Sequence, residues 1–202
     1  MTTNVPATGR AVLRTDDAFF AEPVHEETPR HTAYRYTLAV TRLALGWTFL
    51  WAFFDKLFAL GFGTGRDPET GVVDRFGDAA WINGGSPTEG FLKFGADGPF
   101  KGFYNGIAGD AWTNWLFMGG LLAIGVALTL GVTMRIAAGT GALLLVMMWT
   151  AVLPPENNPF MDSHLIYALV LVVLALASAG RTLGLGRVWE RIPLVAKHEI
   201  LK

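Results

Sequence analysis

The chain has 202 residues, a formal net charge of −1 and no cysteine. The missing thiols exclude a disulfide framework, a thiol-redox centre, an iron–sulfur cluster and a thiolate zinc site. They also exclude a quinone-linked disulfide oxidase, and the near-neutral charge gives no reason to expect nucleic acid as a partner. Hydrophobic residues make up 51% of the chain and charged residues only 16%. The charges gather in residues 1–42, 61–110 and beyond 180. Between them lie apolar runs of about 20 residues, the length that crosses a bilayer core. The pattern predicts an all-α membrane protein: a four-transmembrane-helix bundle with an extracytoplasmic loop domain containing short amphipathic helices.

Residues 1–35 carry Pro6, Gly9, Pro23 and Pro29 among scattered charges and show no sustained period. They read as a disordered cytoplasmic arm, with a short turn over residues 16–21. No apolar h-region precedes residue 34, so the first span is expected to act as its own insertion signal.

The first span covers residues 36–60 and carries Arg42, Asp55 and Lys56. Arg42 and Lys56 lie near its ends, where long cations snorkel to the interface; the alternative is a role in a site. Asp55 is too short to snorkel and needs a partner or a wet cavity. Lys56 points about 100° away from it around the helix, so each is expected to face a different neighbour.

Residues 61–111 are too polar to span. Ser86-Pro87-Thr88-Glu89 has the form of a capping box with proline at the first helical position. Phe100, Phe103, Tyr104 and Ile107 make an i, i+3, i+4, i+7 stripe. Together they predict two amphipathic lid helices. Lys93 and Lys101, beside the flexible Asn83-Gly84-Gly85, either hold a small oxyanion or form a solvated face.

The second span, residues 112–132, opens with the interface anchors Trp112 and Trp115. Gly119, Ala123, Ala127 and Gly131 recur every four residues. This small-residue face suits intramolecular packing or, alternatively, a homodimer seam. The third span covers residues 135–153 and stops at Pro154-Pro155. The fourth, residues 164–181, is short. The tail, residues 186–202, carries Arg187, Arg191, Lys197 and Lys202 and is expected to lie along the inner surface. Arg30, Arg35, Arg135 and the basic tail place both termini inside the cell membrane and the long loop outside.

The densest polar cluster near the membrane is Asn157, Asn158, Asp162, Ser163 and His164. Asn157 and Asn158 read as turn residues or substrate contacts, and Asp162 as a helix cap or a proton-transfer group. His164 is the histidine nearest a span. With Asp55 and Lys56 it would form an outer pocket of donors and titratable groups at one level. Such an apolar slot with a donor for each carbonyl oxygen and a nearby acid or base is what a quinone asks for. Haem is excluded for want of a second axial histidine. GFGTG follows a helix rather than a strand and is no dinucleotide or flavin fingerprint. No metal set is complete.

These residues bring a family into view. The stretch RLALGWTFL…DKL with Arg42, Gly46, Asp55 and Lys56 resembles the DoxX family. So do INGGSPTEGFL in the loop, LFMGGLLAIGVALTLG in the second span and NNPFMDSH in the third connection. Within that family the chain is similar to the branch related to DoxD, the membrane subunit of thiosulfate:quinone oxidoreductase. The resemblance implies a four-helix membrane bundle and electron delivery to quinone, with thiosulfate or a related small donor oxidised. Alternatively it implies a non-catalytic membrane subunit that recruits or stabilises a larger redox complex. A small-solute transporter is disfavoured, because no broken helix or repeat offers a pathway.

Overall fold

A computed structural model describes residues 28–156 and 158–202. The expected arm falls mostly outside the described residues, but its last part does not. Thr28 caps a helix whose first residue is Pro29, a placement proline favours because it has no N–H to lose. This helix, α1 (Pro29–Phe58), therefore begins seven residues before the expected start of the first span, and residues 29–35 are helical rather than disordered.

Among the described residues the fold is all-helical. The short α2 (Lys101–Gly106) lies in the lid, followed by α3 (Ala111–Leu130), α4 (Met134–Ala151) and α5 (Ser163–Leu176). The tail holds α6 (Gly186–Trp189) and α7 (Pro193–Lys197). Helices α1, α3 and α4 are long and apolar enough to cross a membrane. Their outward faces are apolar too: Leu116 and Leu143 are 69% and 61% exposed. A soluble protein rarely leaves so much continuous apolar surface uncovered. The fourth apolar helix, α5, is shorter than the expected fourth span. Its 14 residues reach about 21 Å at 1.5 Å per residue.

The core runs along one face of each long helix. Leu45, Phe49 and Phe53 of α1 meet Met118, Leu121, Ile124 and Leu128 of α3. Ala137, Ala138 and Leu145 of α4 meet Ala168, Leu171 and Leu174 of α5. Pairs α1–α3 and α4–α5 pack along much of their length, whereas α3–α4 and α1–α5 touch far less. The close approach of α1 to α3 depends on Gly125: a Cβ there would lie 2.8 Å from the Leu50 side chain and 3.0 Å from its backbone nitrogen. Of the small residues expected to mediate packing on α3, Ala127 packs against the core and Gly131 approaches Gly180, but the other two do not take part. Gly119 and Ala123 are exposed, and a Cβ at Gly119 would meet nothing within 4 Å.

At the end of the bundle where the tail returns, α3 stops at Gly131, whose φ of +72° suits glycine. A helix end leaves four carbonyls without intrahelical partners, and here each is accounted for. Gly131 N–H donates to Ala127 and Leu128, and Leu185 N–H donates to Leu130 at 2.7 Å. Arg42, with no solvent exposure, donates through Nη1 to the carbonyls of Leu128 and Thr129 and through Nη2 to those of Thr182 and Leu183. Arg42 thus neither snorkels nor is free to contact a substrate: it ties α1 to α3 and to the tail. The tail itself is fastened to α4 by an Arg135–Glu199 ion pair at 3.1 Å.

The other end carries the lid. Ser86 Oγ accepts from Glu89 N–H at 3.2 Å, as a capping box requires, but the Glu89 carboxylate pairs with Lys93 instead of reaching back. The element that follows, Gly90–Gly95, is a single wide π-helical stretch. In the second lid element only Tyr104 of the aromatic stripe is buried, while Phe100 and Phe103 are exposed. Tyr104 Oη donates to the Met147 carbonyl at 2.9 Å, and Asp97 N–H donates to the Ala151 carbonyl at 2.8 Å. Asn114 Oδ1 accepts from Thr88 Oγ1 at 2.6 Å and Ser86 Oγ at 3.1 Å. The lid is therefore fixed to the ends of α3 and α4.

Replacing Arg42 with Met keeps the volume but strands several carbonyls in an apolar setting. Each hydrogen bond to a charged group contributes about 1.5–3 kcal/mol. Arg42→Met is expected to lower unfolding free energy by about 3 kcal/mol or more, read as the denaturation midpoint in detergent by circular dichroism. Gly125→Leu should also destabilise, by about 1–3 kcal/mol through overpacking.

Candidate functional site

At the lid end, α1, α3, α4 and α5 leave a cavity of about 220 Å³ between them. Its wall from α1 is Leu45, Thr48, Phe49, Ala52 and Lys56, a face spaced by three and four residues as a helix requires. Phe117 and Leu121 of α3 and Leu145 and Met148 of α4 close the sides, and Phe91 of the lid roofs it. Helix α5 contributes Ser163, His164 and Tyr167 from its first turn. Lys56 and His164 thus share one mostly apolar cavity, whose lining does not include Asp55 or Asp162, grouped with them in the sequence reading.

His164 is oriented by Asp162. The Asp162 side chain caps α5, accepting from Leu165 N–H at 3.2 Å through Oδ1, while Oδ2 lies 2.5 Å from His164 Nδ1. The cap and the histidine partner are therefore the same side chain. With Nδ1 held by a carboxylate, Nε2 is the ring nitrogen left for a ligand. Asp162 and Ser163 also line a second, more polar cavity of about 840 Å³ between the lid and the link from α4 to α5. The Asp162–His164 pair stands between the two cavities.

Asp55 does not join this group on the cavity wall. Its carboxylate, 3% exposed, accepts from Phe62 N–H at 3.0 Å and Gly63 N–H at 2.8 Å, and so pins the turn that follows α1. It is nevertheless close to Lys56: a Cβ at Gly63 would lie 3.3 Å from Asp55 Oδ2 and 4.0 Å from Lys56 Nζ. The two head groups come near Gly63, but Asp55 bonds the Phe62 and Gly63 backbone while Lys56 lines the cavity, so each meets a different neighbour.

The weaker sequence candidates have local partners. Lys93 pairs with Glu89 at 3.1 Å and Lys101 with Asp97 at 3.6 Å, both at i,i+4 spacing on exposed surface. Each cation already has a carboxylate, which favours the solvated-face reading over an oxyanion site. Asn158 Oδ1 accepts from Phe160 N–H at 2.9 Å and Met161 N–H at 2.8 Å, an Asx turn. Asn157 lies outside the described residues. Among the described residues no group of three metal-binding side chains converges.

Sequence reasoning passed over Thr48, Ala52, Phe117, Met148 and Tyr167. The signal was present for three of them. Thr48, Ala52 and Lys56 repeat every four residues, and Tyr167 follows His164 by three, so each shares a face with a charged or titratable neighbour. No family model, curated protein or solved structure matches the chain.

Asp55→Ala removes two hydrogen bonds to a buried carboxylate and leaves the Phe62 and Gly63 N–H groups without acceptors. The expected outcome is a loss of about 1–3 kcal/mol with faster amide hydrogen exchange confined to residues 60–66. Unchanged exchange there would show that the turn holds without its anchor.

Proposed function

We propose that the chain is a quinone-binding membrane subunit of a redox system, of the DoxX kind, with the head group seated between Lys56 and the His164–Asp162 pair. The observation that carries this reading is the shared apolar cavity with two donors from opposite helices. Ligand pockets for drug-sized molecules run to about 300–1,000 Å³. A cavity of about 220 Å³ suits one substituted ring rather than a polycyclic ligand.

The chemistry follows from the residues. Reduction of a quinone to its quinol takes two electrons and two protons. Lys56 Nζ donates to one carbonyl oxygen and passes it the first of the two protons, regained from water once the quinol leaves. Protonated His164 donates from Nε2 to the other and hands over that proton as charge builds on the oxygen. The neutral ring that remains keeps its Nδ1–H on Asp162, which faces the polar cavity that returns the proton.

The electrons come from a small reduced donor. For thiosulfate the balance is two thiosulfates and two protons with one quinone, giving tetrathionate and quinol. The polar cavity next to the site does not suit such a dianion. Asp97, Glu156 and Asp162 line it, and its one lysine, Lys101, is paired with Asp97. Like charges in a cleft repel an anionic donor. The donor is therefore best oxidised on a partner subunit, with this chain binding quinone and moving protons. The exposed Phe94 and Phe103 of the lid, 79% and 59% accessible, are suited to contact that partner.

In the membrane this reading has four crossings, α5 being completed by residues 177–181, with the lid outside and both termini inside the cell membrane. The positive charges of the Arg135 turn and the tail support that orientation.

Purified protein is expected to bind a short-chain benzoquinone, with His164→Ala and Lys56→Ala each weakening binding about tenfold or more, the scale of one hydrogen bond to a charged group. Asp162→Asn should weaken it less. Equilibrium titration on protein that keeps its helical spectrum checks this. Absence of binding, or variants that bind like the native chain, would remove the quinone assignment and leave the recruiting-subunit role.

A further inference from the structure

The tail is held at one level of the bundle. Leu185 N–H donates to the Leu130 carbonyl at 2.7 Å, and Arg135 N–H donates to the Lys202 carbonyl at 3.2 Å. Both ends of the tail are thus tied where α3 stops and α4 starts, and both of those helices are long and apolar enough to cross a membrane.

Between these ties the tail has two unlike faces. One packs inward: Gly186 and Val195 are buried, and Trp189 Nε1 donates to the Leu201 carbonyl at 2.7 Å. The other faces outward. Residues 185–192 run on as helical turns, because the N–H groups of Trp189, Glu190 and Ile192 donate to the carbonyls of Leu185, Gly186 and Trp189. Arg187 and Arg191 therefore stand four apart, with Val188 and Ile192 four apart beside them. Val188, Ile192 and Leu194 are 62%, 41% and 61% exposed. A helix turned toward water would carry polar groups at those positions.

The charges of this outward face are unbalanced. Glu190 pairs with Arg181, and Glu199 with Arg135 and Lys202. Those pairs engage both acidic side chains of residues 181–202. Among the described residues no carboxylate pairs with the exposed Arg187, Arg191 or Lys197. Bulk water does not suit the aliphatic side chains, and the hydrocarbon core does not suit the cations. The headgroup layer between them takes both.

We infer that this face of the tail docks on anionic phospholipid. Arg187, Arg191 and Lys197 hold headgroup phosphates of the leaflet at the tail end, and Val188, Ile192 and Leu194 seat in its acyl boundary. Charge selects the lipid: a zwitterionic headgroup brings its own cation, whereas an anionic one leaves negative charge for the three unpaired side chains. Place selects a lipid over a soluble protein, because the face is fixed at the level where α3 and α4 end. The surface stands at the opposite end of the bundle from the lid and does not depend on the quinone reading.

The chain has no cysteine, so the exposed Ala196→Cys gives a single site for a fluorescent label. The full labelled chain is placed in phosphatidylcholine nanodiscs with a small fraction of quencher lipid. The quencher is a nitroxide near the headgroup end of an acyl chain, carried by phosphatidylglycerol in one sample and by phosphatidylcholine in the other. Phosphatidylglycerol is expected to quench about fivefold more effectively, the scale of one basic side chain at an anionic surface. Replacing Arg187, Arg191 and Lys197 together with Gln should remove that preference. Salt at about 1 M, where screening reaches about 3 Å, should remove it from the native sequence as well. A label at Leu116→Cys, at the lid end, should show none. Equal quenching by the two lipids at Ala196→Cys overturns the proposal, as does a preference that survives salt or that is equal at Leu116→Cys. A label that neither lipid quenches also overturns it, and would turn the face toward a protein partner in water.

Discussion

A guanidinium with no access to solvent ties the bundle together at the end opposite the lid. Placing Arg42 in an apolar environment is expensive unless its donors find acceptors, and the fold supplies carbonyls for both terminal nitrogens, though not for the buried Nε, from two separate places: the end of α3 and residues 182–183 of the tail. The arrangement solves two problems at once. Helix α3 turns sharply into α4 through Gly131–Thr133, and Arg42 takes up two of the carbonyls left at its end. A positive group there also complements the negative end of the helix dipole. The tail, for its part, is held against the bundle by backbone groups rather than by side-chain packing alone.

The clamp has a consequence at the far end of the same helix. Lys56 follows Arg42 by 14 residues, about 21 Å along the axis and within about 40° of the same face. Once Arg42 is fixed to α3, the rotation of α1 is fixed, and the face bearing Leu45, Phe49, Ala52 and Lys56 must turn inward. Asp55 then secures the other end by holding the turn at Phe62 and Gly63. The embedded charges of the first span thus differ in kind: two of them set the helix in place and the third is presented to the cavity.

Much of this was legible in the sequence. Hydropathy alone places α3 and α4 within a few residues, and the pairing of Lys56 with His164 across one cavity follows from the spans' antiparallel order. The i,i+4 partners of Lys93 and Lys101 were also readable, because Glu89 and Asp97 stand at the required spacing. What a linear pattern does not carry is which neighbour a face meets. Arg42 is satisfied by residues some 140 positions away, so its role depends on where the tail returns. Asp55 bonds to backbone N–H groups, which have no sequence signature. The Gly119–Ala123 face looked like a packing surface by composition, yet α1 meets α3 at Gly125, nearly half a turn round the helix from Ala123's open side.

The bundle is best understood as two tight helix pairs, α1–α3 and α4–α5, joined along a looser seam. Within each pair glycine and alanine let backbones approach closely, and nothing is left over for a ligand. The helices touch less along the seam, and the cavity lined by Lys56 and His164 and the groove between α3 and α4 lie there. The head-group chamber takes its walls from both pairs, Lys56 from one and His164 from the other. The groove lies where α3 and α4 face each other across the same seam. A ligand occupying the chamber would bridge the two pairs without disturbing either, so its binding need not compete with the packing that holds the fold. The lid belongs to the same logic. It is bonded to Asn114 at the start of α3 and to Met147 and Ala151 at the end of α4, one anchor on each side of the seam. It spans the place where the two pairs would otherwise be free to separate, and so keeps the chamber's width constant while leaving the groove open to lipid.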